Sequence, residues 1–206
     1  MTKAIEILMG EHRLIEQVLG SLETYVVGIE QGLAPERAML AEYVAFFRGF
    51  ADACHHAKEE DLLFQRMLER GMPRQTGPLA VMFHEHVLGR ARVTALRGLA
   101  EAEGPFAPVE VQIAVENASS FIDLLRAHIL KEDRILCPMA ERLLTGPELD
   151  ALETAFAGLE KTMRADGSLD RFHALADTLT TRFRPDPARM AEAAGLVGCH
   201  AAVQGR

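Results

Sequence analysis

The chain has 206 residues, 49% of them hydrophobic, which is enough for one sizeable domain with its own core. Its formal net charge is −8 and it contains no run of lysine or arginine, which argues against a nucleic-acid-binding surface because phosphate contacts need a clustered basic face. No stretch has the pattern of a signal peptide or reaches membrane-spanning length, so we expect a soluble cytoplasmic protein without a membrane contact.

Hydrophobic residues recur at helical spacing along most of the chain, which predicts an all-α fold. Glycine and proline residues between these periodic stretches mark the expected helix ends. The four long helices predicted in this way cover residues 3–30, 35–70, 78–103 and 109–144. Because short loops join them, we expect antiparallel neighbours in an up-down-up-down four-helix bundle over residues 1–145.

Residues 146–206 are predicted to form a C-terminal helical extension that ends in a mobile tail of about ten residues. Two shorter amphipathic helices are expected over residues 148–163 and 169–183, followed by a short helix over residues 188–196. The two shorter helices are expected either to pack on the bundle or to form the surface of a homodimer.

One motif occurs twice, at residues 55–63 and 128–136. Both copies begin with histidine, carry Lys-Glu at the fourth and fifth positions, an acid at the sixth and Leu at the ninth. Residues four apart in a helix lie on one face, so each copy presents an imidazole beside a carboxylate. Such mixed ligands suit iron, manganese or zinc, and two carboxylates able to bridge favour a redox-active centre of two metal ions.

On the fourth predicted helix, His128 and Glu132 fall within one apolar stripe. That stripe also contains Phe121, Leu125, Ile135, Leu136 and Met139. A carboxylate inside an apolar stripe is costly unless it is paired or bound to a metal, so Glu132 is a candidate ligand together with His128. Asp133 points partly away from the stripe and is a weaker candidate.

The helical angle also sorts the histidines of the first and third helices. His12 lies on the apolar face of the first helix, and Glu16, one turn further on, is its candidate hydrogen-bond partner. On the third helix His86 lies on the apolar face, whereas His84 points the opposite way and is expected to be solvated.

On the second helix two pairings are open, His55 with Glu59 and His56 with Glu60. The helical angle alone slightly favours His56 and Glu60. Superposing the two copies of the motif instead places His55 on His128, and we prefer this pairing because it compares two ligand-bearing helices directly. His56 and Glu60 remain candidates for extra ligands or for groups behind the ligands.

Taken in order, these motifs resemble the hemerythrin-like (HHE cation-binding) domains of bacterial type. The residues that carry the resemblance are His12, the HHxKEE run from His55 to Glu60, the Glu85-His86 step, and His128-x-x-x-Glu132 followed by Leu136-x-Pro138. The resemblance implies a four-helix bundle that holds two non-heme iron ions with an oxo or hydroxo bridge. Carried over position by position, it implies six metal ligands, namely His12, His55, Glu59, His86, His128 and Glu132.

The chain departs from the oxygen-carrying hemerythrins at two positions. Those proteins have a second histidine on the third helix where this chain has Met82, and they use an aspartate at the place of Asp133, whereas Glu132 fits the HxxxE form of bacterial relatives. Fewer histidine ligands leave more iron positions open. The resemblance therefore implies a protein that binds, senses or reacts with oxygen, peroxide or nitric oxide rather than a reversible oxygen carrier.

Two further hypotheses complete this interpretation. The alternative function is a catalase- or peroxidase-like enzyme that disproportionates hydrogen peroxide. A metal-free helical scaffold is the third hypothesis, and it requires six inward polar residues to be coincidental. In the sensing hypothesis, the state of the metal centre alters the two C-terminal helices and so the contact with a partner.

Overall fold

Every regular element in the described part of the chain is a helix. The computed structural model describes residues 1–193 and residue 195. The four long helices are α1 (Lys3–Glu30), α2 (residues 37–69), α3 (Gly77–Glu101) and α4 (residues 108–143). Their ends lie within two residues of the predicted ends, and the all-α prediction is confirmed. None of the described helices is long and apolar enough to cross a membrane.

Helices α2 and α4 are continuous but contain wider, π-helical turns. These turns cover Phe47–His56 and Glu59–Leu63 in α2 and Glu132–Leu136 in α4. Such turns are rare and are frequently found at functional sites. Each one changes the directions of the residues within and after it relative to a regular α-helix. Ile135, predicted to face inward, is therefore 50% exposed, and that prediction was wrong.

The C-terminal segment adds α5 (Gly146–Ala165), α6 (Ser168–Arg182) and the short α7 (Pro187–Ala193). Helices α5 and α6 pack on each other and on α1 and α2, as the first of the two sequence-based alternatives predicted. Apolar side chains from both helices are part of the same clusters as residues of the long helices. The predicted end of the short helix at Leu196, the tail, Cys199 and His200 lie outside the described residues.

Contacts between neighbouring helices surround a layer of buried polar residues. Helix α1 contacts α2 and α4, and α3 contacts the same two helices. Two hydrophobic clusters lie above and below the layer, and each long helix contributes residues to both. The buried polar residues between the clusters are His12, His55, His56, Lys58, Glu59, His86, His128 and Glu132. Because burying polar groups is costly unless they are paired or bound to a metal, this layer is the candidate functional site.

Gly49 lies where α6 packs against α2, and it has no room for a side chain. A Cβ atom at position 49 would lie 1.9 Å from Cζ of Phe172. We expect Gly49→Ala to lower the free energy of unfolding by about 1–3 kcal/mol, because the ring and the helix must separate. Gly158→Ala on α5 is the matched control, since nothing lies within 4 Å of that position.

The control should raise the free energy of unfolding by roughly 0.5–1 kcal/mol, because alanine favours an exposed helix more than glycine does. Urea unfolding of both variants measures the two effects. If Gly49→Ala were as stable as the unmodified protein, this result would contradict the close packing of α6 on α2.

Candidate metal centre

Two sets of buried, ligand-type side chains adjoin in the polar layer. The α1-side set consists of His12, His55, Glu59 and Glu132. The α3-side set consists of His56, Glu59, His86 and His128. Within each set, one ligand atom from each residue lies within 4.8 Å of all the others. Glu59 belongs to both sets, so a metal ion in one set would share a ligand with an ion in the other.

In the α1-side set, imidazole nitrogens point at carboxylate oxygens. Nε2 of His12 lies 3.2 Å from Oε2 of Glu132 and 3.8 Å from Oε1 of Glu59. Nε2 of His55 lies 3.5 Å from the same oxygen of Glu59. Four side chains from α1, α2 and α4 therefore converge on one small volume.

The α3-side set converges in the same way. Nε2 of His86 lies 3.0 Å from Nε2 of His128 and 3.4 Å from Oε2 of Glu59. Metal–nitrogen bonds are about 2.1 Å long, so two nitrogens this close together could be held by one metal ion. The ring of His56 stacks on that of His86 with the centroids 3.8 Å apart. Oε1 of Glu132 also lies 3.2 Å from Nε2 of His128, so Glu132 reaches histidines of both sets.

The structure brings together all six residues that the resemblance implied as ligands, and it adds His56. The choice between His55 and His56 had been left open, and both point into the layer. Both residues lie in the π-helical turn that ends at His56, where adjacent residues are closer in direction than the roughly 100° of a regular α-helix. His84 is exposed, in line with the expectation that it is solvated.

Among the described residues, each of the five buried histidines contacts a carboxylate through Nδ1, the ring nitrogen that faces away from the layer. The Nδ1 contacts are His12 with Asp133 at 2.7 Å, His55 with Glu11 at 3.0 Å, His56 with Asp52 at 3.3 Å, His86 with Glu60 at 2.6 Å, and His128 with Glu85 at 2.9 Å. With Nδ1–H donating to the carboxylate, Nε2 keeps a lone pair directed into the layer. Carboxylates behind metal-bound histidines commonly fix the ring and its tautomer in this way.

One of these partners differs from the sequence-based expectation, and one agrees with it. Glu16 was predicted to be the partner of His12, but that position is taken by Asp133. Glu16 instead pairs with Nε of Arg13 at 3.2 Å. Asp133 can reach His12 because α4 packs against α1. Glu60 lies behind His86, which is one of the two roles left open for it.

Basic side chains hold the carboxylates in turn. Arg13 pairs with Asp133, Lys58 with Glu11, Lys131 with Glu85, and Arg90 with both Asp52 and Glu60. Asp133 and Glu60 were candidates from the sequence, whereas the basic residues and the carboxylates of Glu11, Asp52 and Glu85 were given no role. One signal was available, because the lysine of the repeated motif and the glutamate immediately before His12 and His86 each occur twice.

Four buried ligand-type atoms in the layer make no well-aligned hydrogen bond, although an imidazole or carboxylate atom lies 3.2–3.4 Å from each. They are Nε2 of His12, Oε2 of Glu59 and both carboxylate oxygens of Glu132. Buried polar atoms nearly always form hydrogen bonds, so carboxylate oxygens without one at the centre of a core require an explanation. Imidazole nitrogens and carboxylate oxygens are the donors that iron, manganese and zinc accept, so this donor set fits metal ions.

Proton affinities in the metal-free layer are strongly shifted. Burial lowers the pKa of His128, but Glu132 and the other neighbouring carboxylates outweigh it and raise this pKa to about 10. Burial also lowers the pKa of His12. The carboxylate of Asp133 and those of its neighbours outweigh this effect and hold the pKa of His12 well above its usual value. The same balance raises the pKa of His86. At neutral pH the metal-free layer therefore holds protons that a metal ion must displace.

The pKa values of the two central carboxylates and of His56 are shifted downward. Burial and the adjacent Glu59 raise the pKa of Glu132, yet His128 and His12 outweigh them and bring it to about 2. The pKa of Glu59 is also held well below its usual value, because the surrounding imidazoles outweigh the effect of burial. Burial lowers the pKa of His56 to about 4. Both carboxylates are thus ionised and His56 is neutral at pH 7, as metal ligands must be.

A cavity of about 240 Å³ adjoins the α3-side set. His56, His86 and His128 line it, together with apolar side chains of α2, α3 and α4. None of the α1-side residues lines this cavity among the described residues. A small molecule can therefore approach the layer from the α3 side.

Among the described residues, two adjoining sets of buried histidine and carboxylate side chains lie within an all-helical fold, which defines the class of candidate metal-binding helical proteins. The chain matches the model of the family described as hemerythrin HHE cation binding domain over residues 3–140. It belongs to this family, and the family resemblance seen in the sequence is confirmed. Among curated proteins and among solved structures, no significant match to the chain was found.

Proposed function

We propose that this chain is a non-heme di-iron protein that binds or reacts with oxygen, peroxide or nitric oxide, in handling or sensing these molecules. The observation that carries the proposal is the pair of adjoining ligand sets that share Glu59, with Glu132 reaching histidines of both. The proposed ligands are His12, His55, His56, Glu59, His86, His128 and Glu132. When bound, two iron ions would supply redox chemistry toward such small molecules.

The proposed framework is an up-down-up-down bundle over residues 1–145, with residues 146–206 as an extension. The order in which the helices contribute to the two hydrophobic clusters supports it. Along α1 the cluster that contains Leu8 precedes the cluster that contains Ile15, and along α2 the order is reversed from Phe50 to Phe64. Helix α3 repeats the order of α1, and α4 repeats the order of α2.

The residues of the chain have separate tasks in this proposal. The carboxylates at Nδ1 hold each ring so that Nε2 faces the layer, and the two hydrophobic clusters exclude water above and below it. The cavity admits the exogenous ligand on the side of His56, His86 and His128. His56 adds an imidazole that compensates for the missing histidine at Met82, so fewer iron positions are left open than the sequence predicted. Binding or sensing is therefore favoured over catalase-like turnover.

The test is to load the protein with Fe²⁺ without oxygen and to mix it separately with oxygen, hydrogen peroxide and nitric oxide in a stopped-flow spectrometer. We expect an absorbance change with at least one of the three that is absent from a His128→Ala control. Oxygen release from peroxide above that control would favour the enzyme alternative. No change with any of the three would refute the proposed function.

Gly89 on α3 offers a way to narrow the cavity without touching a proposed ligand. A Cβ atom there would lie 3.7 Å from Cε2 of Phe121, an ordinary contact, so a longer side chain extends into the cavity. We expect Gly89→Leu to slow azide binding to the oxidised, iron-loaded protein by about tenfold, which corresponds to about 1.4 kcal/mol in the barrier. The iron content should not change.

Gly98→Leu is the matched control, because this glycine of the same helix is exposed and has nothing within 4 Å of its Cβ position. Its azide binding rate should equal that of the unmodified protein. Equal rates in both variants would mean that the exogenous ligand enters elsewhere.

A further inference from the structure

Lys58 is wholly buried where α1, α2 and α5 meet. Its Nζ atom hydrogen-bonds to Glu11 of α1 and donates to Oε1 of Glu160 on α5 at 2.6 Å. The ring of Phe156, one turn before Glu160, lies 5.8 Å from the same atom. A buried ammonium group is stable only when paired, so the two carboxylates fix the position of Lys58.

Glu11 connects Lys58 to one of the proposed metal ligands. Glu11 uses Oε1 for Lys58 and Oε2 for Nδ1 of His55, at 3.0 Å. His55 belongs to the α1-side set. An unbroken series of hydrogen bonds therefore runs from Glu160 through Lys58 and Glu11 to His55.

The second copy of the motif provides an internal comparison. Lys131 pairs with Glu85, which accepts from Nδ1 of His128, so the arrangement of the first copy is repeated up to the lysine. The side chain of Lys131 is 34% exposed, whereas that of Lys58 is fully buried. The carboxylate of Glu160 is what distinguishes the first copy from the second.

We propose that Glu160 is a positioning residue of the metal centre, through which α5 fixes the orientation of His55 in the α1-side set. This inference rests on the proposed function. Glu160 lies beyond residue 140, where the family match ends, so the extension contributes to a centre that the family match alone does not complete. Because coupling between two sites is reciprocal, metal bound in the α1-side set should also tighten the docking of α5.

The first test is titration of metal-free protein with Co²⁺ against a competing chelator, followed by visible absorption. In Glu160→Gln we expect one of the two Co²⁺ affinities to fall by about tenfold, which is the lower end of the loss expected when a hydrogen-bond partner of a ligand is removed. The visible absorption bands of that Co²⁺ ion should also change. The other affinity should stay within about twofold. Glu160→Asp, which keeps the charge, should recover part of the loss.

Glu153→Gln is the matched control, because it makes the same change on the same helix at a carboxylate without an ion pair in the described structure. Both of its Co²⁺ affinities should equal those of the unmodified protein. In a Lys58→Met background, Glu160→Gln should have no further effect, since the effect passes through the lysine.

The second test is hydrogen exchange of residues 146–165 with and without Co²⁺. We expect slower exchange with metal in the unmodified protein and in Glu153→Gln, and no such difference in Glu160→Gln. Unchanged Co²⁺ affinities in Glu160→Gln, or equal loss of both, would overturn this inference alone. Failure of the unmodified protein to bind two Co²⁺ ions would instead refute the proposed function.

Discussion

Replacing Glu59 with glutamine is expected to weaken the binding of both metal ions by more than about 100-fold, because the loss of a ligand exceeds the 10- to 100-fold cost of losing a group behind one. Glu59 is the residue that the two sets share, and its oxygens face His55 of one set and His86 of the other. Glutamine has nearly the same shape, so the helix packing should persist. Metal analysis after desalting, with circular dichroism as a check on the fold, measures the effect.

Asp61→Asn is the control for this prediction. Asp61 lies two residues further along the same helix, is exposed, and makes no ion pair among the described residues. Its metal content should match that of the unmodified protein. A Glu59→Gln protein that retained both ions would show that the two sets do not share a ligand.

Metal binding is expected to release about two protons per chain at pH 7. One proton comes from His12, whose pKa in the metal-free protein is raised well above its ordinary value by the carboxylates around it. The second comes from His86 and His128, which share one proton because their Nε2 atoms are only 3.0 Å apart. With two protons displaced, metal affinity should rise by up to about 100-fold per pH unit below these pKa values.

Above about pH 6.5, the ordinary histidine value, the stability of the metal-free protein should fall as the pH rises. The pKa of His128 is raised to about 10, so its contribution is complete below about 6.5, the ordinary histidine value, and is lost as the pH rises toward 10. The pKa of Glu132 is lowered to about 2, so its contribution is present above about 4.5 and is lost as the pH falls toward 2. The rise in melting temperature that Co²⁺ causes should therefore grow from pH 6 to pH 8.

A pH indicator in weakly buffered solution counts the protons that metal displaces. A His12→Gln variant should release about one proton fewer. Release of no protons by the unmodified protein, or a metal-induced shift in melting temperature that shrinks with rising pH, would contradict the assigned protonation states.

The sequence was sufficient for the helices and for most of the candidate ligands. Helical periodicity located all four long helices, and the duplicated motif identified His55, Glu59, His128 and Glu132 without any structure. The angle rule failed at Ile135, because it assumes a regular α-helix and Ile135 lies within a π-helical turn. For the same reason the sequence could not decide between His55 and His56.

Contacts between residues that are far apart in the sequence could not be predicted from it. The carboxylate behind His12 comes from Asp133, which is 121 positions away, and that behind His128 comes from Glu85 on another helix. Only the packing of α1 against α4, and of α3 against α4, decides these partners. The cytoplasmic location, the homodimer and the absence of a nucleic-acid partner remain predictions.

The most direct test of the central claim is the iron content of protein loaded with Fe²⁺ without oxygen and then desalted, measured together with its near-ultraviolet spectrum after oxidation. The proposed centre predicts about two irons per chain and strong near-ultraviolet absorption, both lost in Glu59→Gln. One metal ion per chain, or none after loading, would contradict a di-iron centre and leave the family's fold without its proposed chemistry.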